Sequence, residues 1–341
     1  MAEEHGLLGH ARDVCIDIGQ SFVPEALEAL LPHFRSFTQV HTLRISGFGV
    51  PCFLPDFERY FVQFVPTLRS LHLPQVIGNT HDVLEFICKF PHLDNLSLTQ
   101  PSFHLIGVPP RLSVEDSPPL NGTLVLGGRA PTPARFLLGI PGGLHFRRVY
   151  VGGVGKTELD EILAACSLEL ETLSLRPWSR KFAQYQLPPG KVHCRLLNIS
   201  LCYSALVSAD LSRNMALTRF ELRVDQTHDL NLVLSPLRKT LSTISSPVFS
   251  EFILKIECCP SGIRFLDLLS GEVTQGDEWK TIDSDLNDMS RTNGRDIRLA
   301  IRVGVGDEIW SPALRALVGD VFPLMNARGL VDVEVVKLVR V

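Results

Sequence analysis

The sequence predicts an α/β leucine-rich-repeat solenoid, a curved horseshoe with a parallel sheet on its concave face and helices on its convex face. Three observations predict it. A six-residue apolar template recurs along the chain, polar residues alternate with it, and helix-like segments separate the copies. The clearest copies are Leu68-x-x-Leu71-x-Leu73 and Leu93-x-x-Leu96-x-Leu98. A repeat of roughly 20–29 residues is typical of leucine-rich-repeat proteins.

The strands are predicted from the fourth position of this template. That position is predicted at Ile16, Leu43, Leu71, Leu96, Leu124, Val149, Leu173, Leu197, Phe220 and Phe252. Because alternate residues of a strand face opposite sides, positions four and six share one face, and positions three, five and seven share the other. The first set is apolar and the second mostly polar. One face therefore packs on a core while the other meets solvent.

Helices are predicted between the strands. The candidates are Glu25–Leu31, Phe57–Phe64, Val83–Phe90, Ala134–Gly139 and Glu158–Cys166. Their apolar residues recur at intervals of three and four, which places them on one helical stripe. A strand, a helix and a parallel strand form a right-handed crossover unit, and stacked units bury their apolar stripes together. Strands sit about 4.8 Å apart and helices need roughly 8–10 Å, so the strands line the concave side.

The repeat array has two interruptions and an atypical end. Gln100–Pro119 is predicted as a long loop or an imperfect repeat, and Trp178–Pro189 as an insertion between repeats. Residues 1–257 are predicted to form the solenoid, and residues 258–341 to add C-terminal repeats and a cap continuous with it. That last part contains a helix around Asp277–Leu286 and a final strand within Val331–Val341. Solenoids need such ends to shield the last core layer from water.

Composition narrows the classes of partner. Hydrophobic residues make up 45% of the 341 residues and charged residues 21%, with a net charge of −4, which is typical of a folded soluble protein. This charge gives no bulk attraction for nucleic acid or anionic lipid. No apolar stretch reaches the roughly 20 residues that span a bilayer, and the N-terminus does not resemble a secretory signal. We therefore expect a cytoplasmic or nuclear monomer without nucleic-acid or membrane partners. The eight cysteines lack zinc-site spacing, which indicates free thiols.

Several segments carry a family resemblance, in matching order along most of the chain. They are LLPHFRSFTQVHTLRISGF, PPLNGTLVLGG, PGGLHFRRVYV, LAACSLELETLSL, STISSPVFSEFIL and FPLMNARGL. These segments resemble the leucine-rich-repeat region of F-box-like proteins of mushroom-forming fungi. The resemblance implies the target-binding part of a ubiquitin-ligase substrate receptor. Family members begin with an F-box that docks a ligase adaptor. Here the first predicted strand starts near Asp13, so we expect that the F-box itself is not present.

One motif points to different chemistry. Val151–Thr157 has the sequence V-G-G-V-G-K-T, which resembles a phosphate-binding loop. As an alternative function, Gly152–Thr157 would bind nucleotide in a P-loop-like switch. The phosphates would then lie against the backbone of Gly153 and Gly155, Lys156 would reach the β- and γ-phosphates, and Thr157 would hold Mg²⁺. The full motif needs glycine where Tyr150 stands. The repeat explains the same residues as a turn followed by a Thr157–Asp160 helix capping pair.

The leading prediction is a non-catalytic protein-recognition module with no cofactor and no metal. No G-x-S-x-G, H-E-x-x-H or EF-hand pattern occurs. The predicted contact residues, at solvent-facing template positions, are Arg44, His72, Asn95, Ser97, Arg148, Tyr150, Ser174, Arg176, Asn198, Arg219, Glu221 and Arg223. Tyrosine and arginine dominate interface hot spots, so Tyr150 and the arginines are the expected anchors. Arg147, Arg148 and Arg176 near Tyr150 suggest an acidic peptide as the partner.

Overall fold

The structure is a computed structural model. It describes residues 10–17, 31–46, 61–74, 77–99, 102–104, 119–127, 137–140, 142–152, 156–166, 169–176, 196–202, 206, 209–225, 230–257, 275–305 and 311–337. The chain forms two compact units, unit 1 over Met1–Leu170 and unit 2 over Glu171–Val341.

Unit 1 contains a parallel sheet whose strands lie side by side in chain order. Its described strands are Asp13–Asp17 (β1), Thr42–Ser46 (β2), Ser70–Pro74 (β3), Asn95–Thr99 (β5), Leu120–Gly127 (β7) and Leu144–Gly152 (β8). Two further short strands, Ile77–Asn79 (β4) and Ser102–His104 (β6), pair with each other in parallel. Helix α1 covers Thr80–Cys88 and helix α2 covers Lys156–Cys166. The β6 strand falls inside Gln100–Pro119, the segment predicted as a long loop or an imperfect repeat.

Unit 2 repeats the same architecture with longer helices. Its described strands are Thr172–Arg176 (β9), Asn198–Cys202 (β10), Arg219–Asp225 (β11), Glu251–Glu257 (β12), Arg298–Val305 (β13) and Val331–Lys337 (β14), again parallel and in chain order. Its described helices are Leu230–Ser242 (α3), Gln275–Asn293 (α4), Ser311–Val321 (α5) and Pro323–Ala327 (α6). The predicted α/β leucine-rich-repeat solenoid class, with a parallel sheet, is confirmed.

Strand register places the template leucines side by side in buried columns. In unit 1, Leu43, Leu71, Leu96, Leu124 and Val149 are successive neighbours, all with essentially no exposed surface. Burying each such side chain contributes about 1.5–3 kcal/mol. The column therefore supplies the main cohesion between repeats. These five positions are the ones that the sequence predicted.

The strand starts are joined by a second repeating feature, made of backbone hydrogen bonds. The amides of His41 and Thr42 both donate to the carbonyl of Arg12, at 2.7 and 3.0 Å. The amides of Arg69 and Ser70 donate in the same way to the carbonyl of His41. This pattern recurs at Asp94–Asn95, Leu197–Asn198, Thr218–Arg219 and Ser250–Glu251. At Thr218 and Ser250 the side-chain hydroxyl also donates to the same carbonyl, at 2.9 and 3.2 Å. The pattern fixes the stagger of each strand on the preceding one.

Gly122 is the place where this pattern changes. Only Thr123 donates to the carbonyl of Asp94, at 2.7 Å, and Gly122 has a φ of 78° beside it. A Cβ on Gly122 would lie 2.1 Å from the Asp94 oxygen. The pairing of β7 with β8 slips between Gly122 and Thr123, which leaves Arg147 as an extra residue on β8. Glycine is required here because both the backbone angle and the close approach exclude a side chain.

Two strand registers were predicted wrongly, each by two residues. In β1, Val14 lies beside Leu43, so Val14 and not Ile16 holds the fourth position. In β10, Ile199 lies beside Leu173 and Phe220, so the template is Leu196-x-x-Ile199-x-Leu201. The sequence also allowed Cys194-x-x-Leu197-x-Ile199, and an even slip keeps every residue on its predicted face.

Leu197 shows the consequence of that slip. It precedes β10 and is 37% exposed, whereas a fourth-position residue should be buried. The backbone pairing decides the register, because only one frame lets Ile199 complete the column between its two neighbours. Asn198 consequently moves from template position five to position three but stays on the solvent-facing side.

Some of the predicted helices are confirmed, one is corrected, and others fall partly outside the described residues. Helices α1 and α2 confirm Val83–Phe90 and Glu158–Cys166 to within a few residues, and α4 confirms and extends Asp277–Leu286. Within Phe57–Phe64, the described part contains a 3-10 turn at Val62–Phe64, so the α-helix predicted there is corrected to a tighter turn. Of Glu25–Leu31 the structure describes only Leu31, and of Ala134–Gly139 it describes only residues 137–139, which form a single turn. All of Trp178–Pro189 lies outside the described residues.

The 3-10 turn has a packing reason. Its interval of three residues puts Phe61 and Phe64 on the same side, and both are fully buried. Their rings pack edge to face at 5.8 Å, and Phe61 packs on Phe86 of α1 at 5.8 Å. A short turn suffices because these aromatic side chains fill the core where a longer helix would stand.

The C-terminal part of unit 2 is organised around α4. Asp283 of α4 is buried and accepts hydrogen bonds from the backbone amides of Leu324 and Met325, at 2.7 and 3.0 Å. One turn earlier, Trp279 packs edge to face on Phe322 at 5.4 Å. The carboxylate therefore satisfies the free amides at the start of α6. The strands β13 and β14 continue the parallel pairing of β12, with Leu299 beside Phe252 and Val331 beside Leu299.

Candidate protein-interaction surface

The residues at template positions three, five and seven form one side of each sheet, which we call the open face. In β2 the alternation leaves Leu43 and Ile45 buried and Arg44 exposed. In β8 it leaves Val149 buried with Arg148 exposed and Tyr150 half-buried. Each unit has its own open face, and the two faces differ in charge.

The open face of unit 1 has a row of side chains at position five. Register places Arg44 beside His72, His72 beside Ser97, Ser97 beside Val125, and Val125 beside Tyr150. Ser97 is buried at 8% exposure and His72 is half-buried. The middle of the row therefore carries little charge, with the Arg44 cation at one end and the Tyr150 ring at the other.

A second row, at position three, ends in Arg148. It runs from Thr42 through Ser70, Asn95 and Thr123 to Arg148. Asn95 has a buried side-chain oxygen without a hydrogen-bond partner in the described structure. Two predicted contact residues, Asn95 and Arg148, are thus brought into one line.

His72 stays uncharged near neutral pH. Burial lowers the pKa of its imidazole below the ordinary value of 6.5, and the neighbouring Arg44 charge lowers that pKa further. An imidazole that stays neutral adds no charge to the floor between the arginines. Its ring supplies hydrogen-bonding nitrogens instead.

The β8 bulge sets the charge at the far end of the face. Because the register slips at Gly122, Arg147 has no opposite residue on β7, and Arg147 and Arg148 are both exposed. Neither of them, nor Arg44, forms an ion pair with any residue that the structure describes. On strands β2 to β8, the described open-face positions carry no carboxylate. Asp13 and Asp17, on the neighbouring β1, are the acidic residues of this face.

The open face of unit 2 is centred on a buried carboxylate. Glu221 is only 7% exposed, and its oxygens accept hydrogen bonds from Arg223 Nε at 2.5 Å and from Arg219 Nη2 at 3.1 Å. Ser200 Oγ donates to it at 3.3 Å. Arg219 also lies 3.6 Å from Glu251 on the next strand. The predicted residues Arg219, Glu221 and Arg223 are therefore brought together, but they are occupied with one another.

Opposing influences set the ionisation of Glu221. Burial raises the pKa of its carboxyl, but the charges and hydrogen bonds of Arg223 and Arg219 outweigh burial, and the net pKa is lowered. Glu221 therefore stays ionised at neutral pH. A charge held this way costs free energy to uncover, so it favours the existing pairs over a new partner.

Further ion pairs continue across the last strands, at positions that the sequence prediction did not include. Arg298 donates to Asp332 at 2.7 Å. Arg302 Nε lies 2.9 Å from a Glu334 carboxylate oxygen without making a hydrogen bond to it. The alternation of apolar and charged residues in β13 and β14 was the signal that could have found them.

The remaining predicted contact residues are less available. Ser174 is buried at 1% exposure, and its hydroxyl has no hydrogen-bond partner in the described structure. Asn198 donates weakly to Thr172 at 3.4 Å. Arg176 ends β9, but its side chain lies outside the described residues.

The phosphate-loop-like motif is described only at its ends. Strand β8 ends at Gly152 and α2 begins at Lys156, while Gly153 and Gly155 lie outside the described residues. Thr157 is exposed in the first turn of α2. The predicted Thr157–Asp160 capping pair is corrected, because a capping residue precedes the helix and Thr157 is its second residue.

Other candidate chemistry among the described residues is sparse. Burial raises the pKa of Cys88 and of Cys166 to about 11, with nearby carboxylates adding to the shift, so neither thiol is a thiolate nucleophile at neutral pH. Within the described ranges, no group of three His, Cys, Asp or Glu side chains could hold a metal ion. None of the described helices has the length and apolar character to cross a bilayer.

A groove of about 740 Å³ lies on the helical side of unit 2, where residues of α3 and α4 line it. Its charged residues include Arg238 and Asp285, which pair across it at 3.2 Å. The groove is wide open and its facing charges already neutralise each other.

In comparisons with known proteins, no family model matches this chain and no curated protein matches it.

Proposed function

We propose that the protein is a non-catalytic recognition module that binds another protein through the open face of its parallel strands. The observation that carries the proposal is the set of exposed arginines on the open face of unit 1. Arg44 lies in the same row as Tyr150, Arg148 ends the neighbouring row, and neither arginine is engaged in an ion pair with described residues. Arginine and tyrosine side chains on a rigid strand surface are effective interface anchors because they lose little entropy on binding.

The wider role that fits this surface is target binding within a ubiquitin-ligase substrate receptor. Its support is the resemblance of six chain segments to the repeat region of F-box-like proteins. A solenoid surface of this kind holds a target while another element docks the ligase adaptor.

Affinity purification with mass spectrometry tests the proposal. The double variant Arg148→Ala/Tyr150→Ala should lose the partners that the wild-type chain captures, with an unchanged melting temperature. A matched variant on exposed helical positions, Lys280→Ala/Arg315→Ala, should keep them. Equal capture by all three proteins would overturn the use of this face. Recovery of a ligase adaptor with all three proteins, together with loss of the other partners from the double variant alone, would support the receptor role.

A further inference from the structure

The described open-face arginines of unit 2 are paired with carboxylates of their own sheet, whereas those of unit 1 are not. Arg219 and Arg223 contact Glu221, Arg298 contacts Asp332, and Arg302 contacts Glu334. Arg44, Arg147 and Arg148 in unit 1 have no such partner among the described residues. A partner that brings carboxylates can pair with these three cations without breaking an existing ion pair.

The geometry of unit 1 sets a distance between its cations. Arg44 is on β2 and Arg148 on β8, with β3, β5 and β7 between them. Four steps of roughly 4.8 Å separate the two strands by about 19 Å. An extended chain advances about 3.3 Å per residue, so about six residues cover that distance.

The surface between the cations suits an uncharged stretch of peptide. The side chains in the middle of the face are short, which leaves room there for a peptide; they are Ser97, Thr123 and Val125. His72 is neutral at physiological pH and the half-buried Asn95 is uncharged, so neither side chain adds a charge to this surface. A charged side chain here would lose hydration without gaining an ion pair.

Asp13 and Asp17 limit the surface on one side. Both lie on β1, next to β2, where they repel an acidic chain that continues past Arg44. Asp17 already accepts a hydrogen bond from Ser46 at 2.9 Å. The carboxylates therefore mark one boundary of the surface, with the β8 arginines and Tyr150 at the other.

We propose, as a refinement that rests on the proposed function, that unit 1 binds an extended acidic peptide segment across strands β2 to β8. One carboxylate of the segment pairs with Arg44. A second, about six residues away, pairs with Arg148 and Arg147, and an apolar neighbour packs on Tyr150. The residues between the two carboxylates are small and uncharged.

Selection from a random peptide library on the full chain is the first test. The library displays twelve-residue linear peptides, and two baits are used in parallel: the wild type and the variant Arg44→Gln/Arg148→Gln. We expect the wild type to enrich pairs of Asp or Glu separated by about five to seven positions, and the variant to lose that enrichment. Failure to enrich any peptide, or enrichment of acidic residues without a preferred separation, would overturn the proposal.

Affinity measurements on a selected peptide locate the site. By fluorescence anisotropy, Arg44→Gln and Arg148→Gln should each weaken binding about threefold to fivefold, as for exposed ion pairs, and added salt should weaken it further. The matched control Arg298→Gln, in unit 2, should change binding less than twofold. Equal losses for the unit 1 and unit 2 variants would overturn the assignment to unit 1.

The two levels of the proposal fail separately. If Arg148→Ala/Tyr150→Ala abolishes capture of a cellular partner but no acidic peptide is selected, recognition stands and the acidic segment is wrong. If that double variant captures partners as well as the wild type does, the proposed function of this face is wrong.

Discussion

The open faces of units 1 and 2 come from the same strand pattern but are electrostatically different surfaces. In unit 2, Glu221 holds Arg219 and Arg223 in a buried cluster, and the pairs of β13 and β14 extend the same arrangement. In unit 1, Arg44 and Arg148 form no ion pair with the residues that the structure describes, and they lie beside small neutral side chains. The same repeat pattern can therefore produce one face whose described charges are paired with each other and another face whose described arginines can bind a charged partner.

The difference follows from where the carboxylates lie. An arginine already paired within its own sheet must give up that pair before it can bind a partner, and the exchange yields little free energy. An exposed arginine without an ion-pair partner loses only its bound water when it binds a partner. Substitutions that test how the two units are built, and this comparison between them, follow from the largest expected effect to the smallest.

The largest effect is expected at Gly122, whose bulge presents Arg147 and Arg148 in unit 1. Gly122→Ala should destabilise the protein by about 3 kcal/mol or more, because its Cβ would clash with the Asp94 carbonyl. Gly294 is the control, since it also has a positive φ, 62°, but open space around it. Gly294→Ala should cost about 1–2 kcal/mol. Urea denaturation followed by circular dichroism measures both, and similar losses would contradict the role given to the bulge.

The next effect tests the corrected register of β10. Leu173 is fully buried in the column, so Leu173→Ala should cost about 2–5 kcal/mol. Leu197→Ala should cost less than about 1 kcal/mol, because this side chain is 37% exposed. Thermal and urea unfolding measure the difference. A larger loss for Leu197→Ala would restore the register predicted from the sequence.

A smaller effect is expected from opening the unit 2 cluster. Glu221→Gln should cost about 1–3 kcal/mol at neutral pH, because it removes the charge that two arginines share. Glu334→Gln, at a half-exposed ion pair, should cost less than about 0.5 kcal/mol. Glu221→Gln removes the carboxylate that pairs with Arg219 and Arg223, so these arginines become available as the described arginines of unit 1 are.

The pH dependence gives the sign of this contribution. The pKa of Glu221 in the folded protein is below its ordinary value of 4.5, so its stabilisation is complete above that value and is lost as pH falls through the folded pKa. The stability gap between wild type and Glu221→Gln should therefore be constant near neutrality and narrow in acid. A gap that widens in acid would show that burial outweighs the arginines.

No effect is expected from nucleotide. Thermal shift with millimolar Mg·ATP or Mg·GTP should leave the melting temperature unchanged for the wild type and for Lys156→Ala alike. A nucleotide-dependent rise that disappears in Lys156→Ala would revive the phosphate-loop interpretation of Gly152–Thr157. It would also place a second functional site in unit 1, beside the open face.

The sequence predicted the repeat, but in some strands it did not predict which residue occupies each template position. The positions of Leu71 and Leu96 were predictable because only one apolar triplet fits each of their segments. Around β10, two overlapping triplets fit equally well, and both put Asn198 on the open face. The frame was decided by pairing with neighbouring strands, which a sequence pattern does not contain.

The sequence predicted which side of the sheet each candidate contact residue faces, but not whether its side chain is exposed and able to bind a partner. Arg148, Glu221 and Ser174 were all expected to face away from the core, yet the first is exposed and the other two are buried. Whether an outward side chain is available for binding depends on its neighbours along its own strand and on the adjacent strand. Glu221 lies between Arg219 and Arg223 on its own strand and beside Ser200 on the next, whereas Arg148 neighbours Thr123.

The sequence by itself determined the repeat, the parallel α/β class and the side of the sheet on which each strand residue lies, because period-two alternation is a local property of the backbone. The tertiary structure alone decided the strand frames, the glycine-dependent bulge and the division into paired and unpaired arginines. The strand frames, the bulge and the pairs of Arg298 with Asp332 and of Arg302 with Glu334 depend on neighbours that are close in space but about 20 to 50 residues apart in sequence. No local pattern records these, whereas Glu221 pairs with Arg219 and Arg223 of its own strand.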